Sequence, residues 1–372
     1  MTTFTKGLQG IVAAQTAKSR VMGEAGRLLY AGYSIRDLAE HATFEEAVYL
    51  LWHGELPTPD QLADVKARLA AERELPAAVV ATLRALPADA LPMDALRTGV
   101  SALGAAYPKA AQVDEAGAVA VLARVPGIIA AFHRLRQGLA PLAPRPDLDY
   151  AAHYLYLLSG QEPTPAQARA LDVYMLLTAD HGLNASTFTA RVVASTLSDL
   201  VSAVVAGIGA LKGPLHGGAP SEVVKMLDEI GDAAHAEAWL KGALARGERI
   251  MGFGHRVYRA EDPRADVLRD LAQTVATPAR YALARTTEEY AIPLLEAHRP
   301  GRKLYTNVEF YSALVMEGVG LPADLFTPTF AASRAAGWTA HALEQVADNR
   351  IIRPDADYIG PAERPYPVVE LV

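Results

Sequence analysis

Between residues 163 and 211 apolar and small side chains fall on every face of a helical wheel, and only Arg169, Asp172, Asp180, Arg191 and Asp199 carry formal charge. A helix that is apolar all round must be enclosed by other elements. This stretch therefore predicts helices at the centre of a bundle, and the rest of the chain has to wrap them. The wrapping is legible. A stripe of Leu38, Phe44, Val48, Leu51 and Trp52 predicts a helix that stops at Gly54, with Pro57 and Pro59 beyond. Further helices are expected over 59–73, 76–86, 93–106, 114–137 and 148–159, and charge-rich ones over 222–230, 234–245, 265–276 and 279–297. A last apolar helix is expected over 329–349, rejoining the central bundle. Only residues 8–35 break this pattern. There the short apolar pieces Gly10-Ile11-Val12-Ala13-Ala14 and Arg27-Leu28-Leu29-Tyr30, interrupted by glycines 23, 26 and 32, read as small strands or a hairpin. The expected class is all-α with short strands near the amino terminus.

A chain of 372 residues is long for one core, and the change to charge-rich helices near Pro220 marks a smaller, more exposed domain lasting to about Gly320. The net charge of −7 argues against broad nucleic-acid binding, so positive charge meant for an anionic ligand must be concentrated locally. The absence of cysteine excludes disulfides, thiolate catalysis and Cys-ligated metal. No run reaches eighteen uncharged apolar residues, the longest being Leu200–Leu211, and the first residues lack the apolar core of a signal peptide. The chain reads as cytoplasmic and without a membrane segment.

Chemistry gathers at a few polar interruptions. Residues 252–264, Gly-Phe-Gly-His-Arg-Val-Tyr-Arg-Ala-Glu-Asp-Pro-Arg, combine a bendable backbone at Gly252 and Gly254 with His255 and the guanidinium forks of Arg256, Arg259 and Arg264. That composition suits a loop wrapped around an anion. His181 and His216 sit in two more breaks, Asp180-His181-Gly182-Leu183-Asn184-Ala185-Ser186-Thr187 and Lys212-Gly213-Pro214-Leu215-His216-Gly217-Gly218-Ala219-Pro220. Pro220 fits the first turn of the helix running to Ile230, which puts His216 near the positive end of a helix dipole and disfavours a cationic ring. A neutral histidine there can donate to a developing enolate oxygen, as one does in triosephosphate isomerase; it could equally close a loop onto backbone. Glu309, among Val308, Phe310 and Tyr311, is either a partly buried base of raised pKa or an ordinary acid at a helix start. Arg334, among alanines and aromatics, is costly unless paired, and a ligand carboxylate would pair it. The dinucleotide, phosphate-loop, nucleophile-elbow and paired-His zinc patterns do not occur, and no metal site is expected.

In order, DHxxNAST, GPxHGG, GxGHRVYxxxDPRA, NVxFYS, a lone Arg before Gly-Trp, and Arg-Pro resemble the citrate synthase family over nearly the whole chain. The likeness includes the amino-terminal GLxG…GRLLYxGYxIxDLA and the Pro92-Met93-Asp94-Ala95-Leu96-Arg97 segment. It implies a two-domain helical homodimer, with a large domain of 1–217 plus 321–372 and a small mobile domain of 218–320, that condenses acetyl-CoA with oxaloacetate and hydrolyses citryl-CoA. On that likeness Glu309 takes the methyl proton, His216 stabilises the thioester enol, and His255 polarises and protonates the ketone. His181, Arg264, Arg334 and the partner subunit's Arg353 hold oxaloacetate, while Arg259, Arg256, Gly213 and Gly254 approach CoA. No cofactor is tightly held; a CoA thioester is the co-substrate. The family's usual base is aspartate, so Glu309 is a departure; Ala31 in place of arginine and Pro220 in place of asparagine are smaller ones. Two alternatives stay open: a 2-methylcitrate synthase using propionyl-CoA, and a catalytically impaired helical dimer that still binds CoA or oxaloacetate.

Overall fold

The computed structural model describes residues 4–217, 219–254, 258 and 260–366, apart from the side chain of Ala219. Among them run three short strands, β1 (Ser19–Met22), β2 (Arg27–Tyr30) and β3 (Tyr33–Ser34). The helices are α1 (Ile35–His41), α2 (Phe44–His53), α3 (Pro59–Ala71), α4 (Ala77–Arg84), α5 (Pro92–Ala106), α6 (Pro108–Ala111), α7 (Glu115–Leu135), α8 (Tyr150–Ser159) and α9 (Pro165–Thr178). They continue with α10 (Ala185–Ser195), α11 (Leu200–Leu211), α12 (Ala219–Ile230), α13 (Ala236–Ala245), α14 (Pro263–Val275), α15 (Pro278–His298), α16 (Val308–Gly318) and α17 (Phe326–Ala347). The fold is all-α, as expected.

Local chemistry accounts for most boundaries. Thr58 and Thr164 each close a reciprocal capping box with the glutamine three residues on, and a proline follows each in the first turn. Gly54 ends α2 in the left-handed region. Two expectations are corrected. The 38–52 stripe is two helices, because Arg169 of α9 donates to the carbonyls of Ala39 (2.6 Å) and Ala42 (2.8 Å), and Asp172 Oδ1 accepts the amide of Phe44 at 2.9 Å. A distant helix thus satisfies the backbone groups that a break exposes. The strands begin at Ser19 rather than at the Gly10 piece, where Ile11 and Val12 are exposed.

A third expectation is corrected as well: the enclosed centre is α7 rather than the whole 163–211 stretch, since α10 and α11 keep partly exposed faces, while α7, long and apolar enough to cross a membrane, is 89% buried within the protein over its most apolar stretch. Its one awkward charge is neutralised in place: Arg124 pairs with Glu72 at 2.7 Å and stacks on Tyr107 at 4.0 Å. Pro126 inside the helix has no amide to offer the carbonyl of Leu122, and the Tyr150 hydroxyl of α8 supplies the missing donor at 2.8 Å. Helix α17 packs on α7, α9, α10 and α11, while α14 and α16 pack on each other and on α9. The carboxyl-terminal helix therefore rejoins the central bundle as expected.

The small sheet pins a break between helices. Ser19 and Tyr30 lie opposite each other in the antiparallel β1–β2 register. The Tyr30 hydroxyl accepts from the amide of Asp180 (3.0 Å) and donates to its carbonyl (2.9 Å). Ser19 Oγ donates to Asp180 Oδ2 and accepts the amide of Gly182 at 2.8 Å. The turn between α9 and α10 is thereby fixed from outside.

Candidate active site

Four elements bring the site together: the α9–α10 turn, the turn before α12, the start of α16, and one face of α17. Along α17 the residues Arg334, Gly337, Trp338 and His341 recur at helical spacing and face the α9–α10 turn and the start of α10. Gly337 allows the contact. A Cβ at Gly337 would lie 2.4 Å from the carbonyl oxygen of Ala179 and 2.7 Å from Asp180 Oδ1. We expect Gly337→Ala to cost about 2 kcal/mol through overpacking, read as a lowered melting temperature; an unchanged melting temperature would contradict this close approach.

Asp180 is fully buried. Burial works against its charge, but His341, Arg334 and Ser19 outweigh that and hold the carboxyl below its usual range. Arg191 Nη1 contacts Nδ1 of His341 at 3.0 Å. A guanidinium only donates, so Nδ1 accepts and Nε2 carries the ring proton toward Asp180 Oδ2 at 3.3 Å. His181, the next residue, has its Nε2 3.2 Å from the hydroxyl of Tyr258, whose ring packs edge-on against it.

Arg334 is 1% exposed. Its Nε donates to the carbonyl of Thr178 at 2.8 Å and its guanidinium lies over Phe330, while its terminal nitrogens have no hydrogen-bond partner among the described residues. Burial pushes its pKa down, which marks a cation short of counter-charge. Arg264 differs. Its Nε and Nη2 grip Asp262 at 3.0 and 2.8 Å, and this pairing overcomes burial to raise its pKa. The fork expected to meet a substrate carboxylate is thus turned on Asp262, and Nη1 is the edge that remains.

His216 is half-buried in the turn after α11, just ahead of α12, whose second residue is Pro220. Its Nε2 lies 2.9 Å from Ser186 Oγ and 3.3 Å from the amide of Ser186. An amide only donates, so Nε2 accepts and the neutral ring carries its proton on Nδ1. Burial and the charge of Arg334 bring the pKa down to about 4. Ser186 is itself fixed, since its hydroxyl contacts Asn184 Oδ1 (2.8 Å) and accepts from Trp338 Nε1 (3.1 Å).

Glu309 is the second residue of α16. Its amide donates to the side chain of the capping residue Asn307 at 3.1 Å, and its Oε2 is buried without a hydrogen-bond partner among the described residues. Burial raises its pKa, with Asp262 adding to the effect and Arg264 and Arg249 opposing it. Beneath it, Glu288 accepts from Thr306 and Tyr311 at 2.6 Å each and so steadies both flanks of the helix start. Gly252 and Gly254 take left-handed conformations where a Cβ would strike Phe310 and Leu304.

His216, Glu309, Arg264 and Arg334 thus converge, and their mutual fields record it: Arg334 acts on His216, and Arg264 acts on both Glu309 and Arg334; His181 is linked to them through Tyr258, on which Arg264 also acts. Gly213 stays at the end of α11, donating to the carbonyl of Ala210 at 3.2 Å. Arg353 is not brought in; it is exposed on the tail that leaves Ser195, where Ile352 donates to the serine hydroxyl at 3.0 Å. His255, Arg256 and Arg259 lie outside the described residues. Reading the sequence alone passes over Ser186, Asp262 and Asn307, although all three stand inside the motifs that carry the chemistry.

A family model described as citrate synthase, C-terminal domain, matches residues 7–355. Citrate synthase 2 of Bacillus subtilis is 44% identical over 375 residues, covering 99% of both chains. A 2-methylcitrate synthase of Shewanella oneidensis is 43% identical over 367 residues, covering 96% of this chain and 95% of its own. Among solved structures, the citrate synthase of Thermoplasma acidophilum, in its ternary complex with carboxymethyl coenzyme A and oxaloacetate, superposes with a TM-score of 0.90 at 33% identity over 98% of each chain.

Proposed function

The chain belongs to the citrate synthase family, and we propose that it joins acetyl-CoA to oxaloacetate and, with water, yields citrate and free CoA. The observation that carries this reading is His216, held neutral with Nε2 on Ser186 and its proton on Nδ1, beside a buried Arg334 whose terminal nitrogens lack partners among the described residues. Glu309 takes a proton from the acetyl methyl, and the Nδ1–H of His216 stabilises the enol oxygen that forms. The enol carbon bonds to the ketone carbon of oxaloacetate while His255 delivers a proton to the ketone oxygen. Water then cleaves the thioester of citryl-CoA and releases the thiol. Arg334, the free edge of Arg264 and His181 hold oxaloacetate, and Arg353 joins them from a second subunit in a homodimer. The exposed Ile351, Tyr358 and Ile359 of the tail support that assembly. Arg259 and Arg256, with the Gly213 and Gly254 turns, receive CoA. The enzyme works in the cytoplasm and needs no metal.

Residues 218–320 act as a smaller domain that closes over 1–217 plus 321–372 once oxaloacetate is bound, expelling water and completing the thioester site. Oxaloacetate is accordingly expected to lower the apparent KM for acetyl-CoA severalfold in initial-rate measurements. Equal values at low and saturating oxaloacetate would reject ordered closure.

The near-equal identity to a 2-methylcitrate synthase keeps propionyl-CoA as the competing substrate, since one methylene in a pocket is worth about 1–3 kcal/mol. Thiol release from acetyl-CoA and from propionyl-CoA, each with oxaloacetate, tests the assignment. Faster release from acetyl-CoA supports it, and faster release from propionyl-CoA reassigns the substrate. No release from either by folded protein makes the chain a binding dimer.

A further inference from the structure

The segment just before His255 and the segment carrying Glu309 meet at a single side chain. Asn307 is 6% exposed and spends all of its polar groups. Its Oδ1 accepts the amide of Glu309 at 3.1 Å, its Nδ2 donates to the carbonyl of Gly254 at 2.9 Å, and its own amide donates to the carbonyl of Gly252 at 3.0 Å. Around it the Gly254 amide donates to Tyr305 at 2.7 Å, Phe253 and Thr306 form an antiparallel bridge, and the rings of Phe253 and Phe310 lie 5.1 Å apart. A helix cap needs only the acceptor Oδ1. The donor Nδ2 does something else, because it reaches 53 positions back along the chain to the residue preceding His255.

We propose that Asn307 is a positioning residue that locks the Gly252–Gly254 turn to the first turn of α16, so that the backbone carrying Glu309 is held in one place against that turn; this rests on Glu309 being the base. The extra methylene of Glu309 gives the argument its weight here. A longer carboxylate has one more rotatable bond to restrain, and a misplacement of about 1 Å is worth on the order of a hundredfold in rate. A clamp on the backbone from which Glu309 springs fixes the root of that side chain, so that only its own torsions are left to be set.

The test separates the cap from the clamp. Asn307→Ser and Asn307→Asp keep a side-chain oxygen able to cap α16, but serine is too short to reach Gly254 and aspartate has no donor for its carbonyl. In the full-length protein we expect both to melt within a few degrees of wild type and to keep the oxaloacetate KM within about threefold, while kcat falls about 10- to 100-fold. Asn307→Ala should lose melting temperature as well. Wild-type kcat in the serine and aspartate variants would overturn the clamp, as would their failure to fold, which would make the contact structural. Glu309→Gln is measured alongside: if it turns over normally the reading of the base fails, whereas a dead Glu309→Gln with a normal Asn307→Ser removes the clamp alone.

Discussion

Replacing Glu309 by glutamine is expected to slow thiol release from acetyl-CoA by about three orders of magnitude, while calorimetric binding of oxaloacetate stays near wild type. The amide keeps the shape of the side chain and its place at the start of α16, where the backbone is held by Asn307 rather than by the carboxyl group. What is lost is the capacity to accept a proton. Retention of more than about a tenth of the wild-type rate, beyond what positioning and polarisation alone could supply, would reject the base. The pH profile carries the same signature. Burial lifts the Glu309 pKa above the ordinary carboxylate range, and a base must be ionised, so turnover is lost as the pH falls through that raised value. His216, with its pKa at about 4, is already neutral across this range and contributes no limb there. In Glu309→Gln the acid limb should vanish from the residual rate.

The second large effect is expected at Arg334. Lysine preserves the charge but cannot both donate to the Thr178 carbonyl through an Nε and present two terminal nitrogens in a plane. For a buried contact of this kind a loss of about 3 kcal/mol is typical, so Arg334→Lys should raise the oxaloacetate KM by about a hundredfold. The fall in kcat at saturation should be much smaller, because Arg334 touches no reacting atom in the proposed scheme. Direct titration with oxaloacetate separates the two quantities. Unaltered oxaloacetate affinity would remove Arg334 from the substrate site and leave its bare nitrogens without an explanation.

Much of this is readable in the chain, and the unread parts share a physical cause. Helices announce themselves wherever boundaries are local, as with the Thr58–Gln61 and Thr164–Gln167 caps or the glycine stop at Gly54. The division of α1 from α2 is hidden, since it depends on Arg169 and Asp172 arriving from another helix. The same holds at the site. His216, Glu309 and Arg334 stand out as polar residues in apolar or glycine-rich settings. The groups that fix their roles do not: Ser186 chooses the proton position on His216 from 30 residues away, and Asp262 claims the fork of Arg264 from two residues away. Hydrophobic periodicity records which face is buried, and it carries no trace of which hydroxyl or carboxylate lies across a turn.

The carboxylate of Asp180 receives Ser19 from the beginning of the chain and His341 from near its end, 161 residues away on either side. During synthesis the amino-terminal strand and the turn it pins can meet early, but the arginine and histidine of α17 are made more than 150 residues later. The Asp180 cluster therefore stays incomplete while the chain between is made, and until α17 docks the apolar helices around α7 have an open seat that a chaperone, or another nascent chain, could occupy.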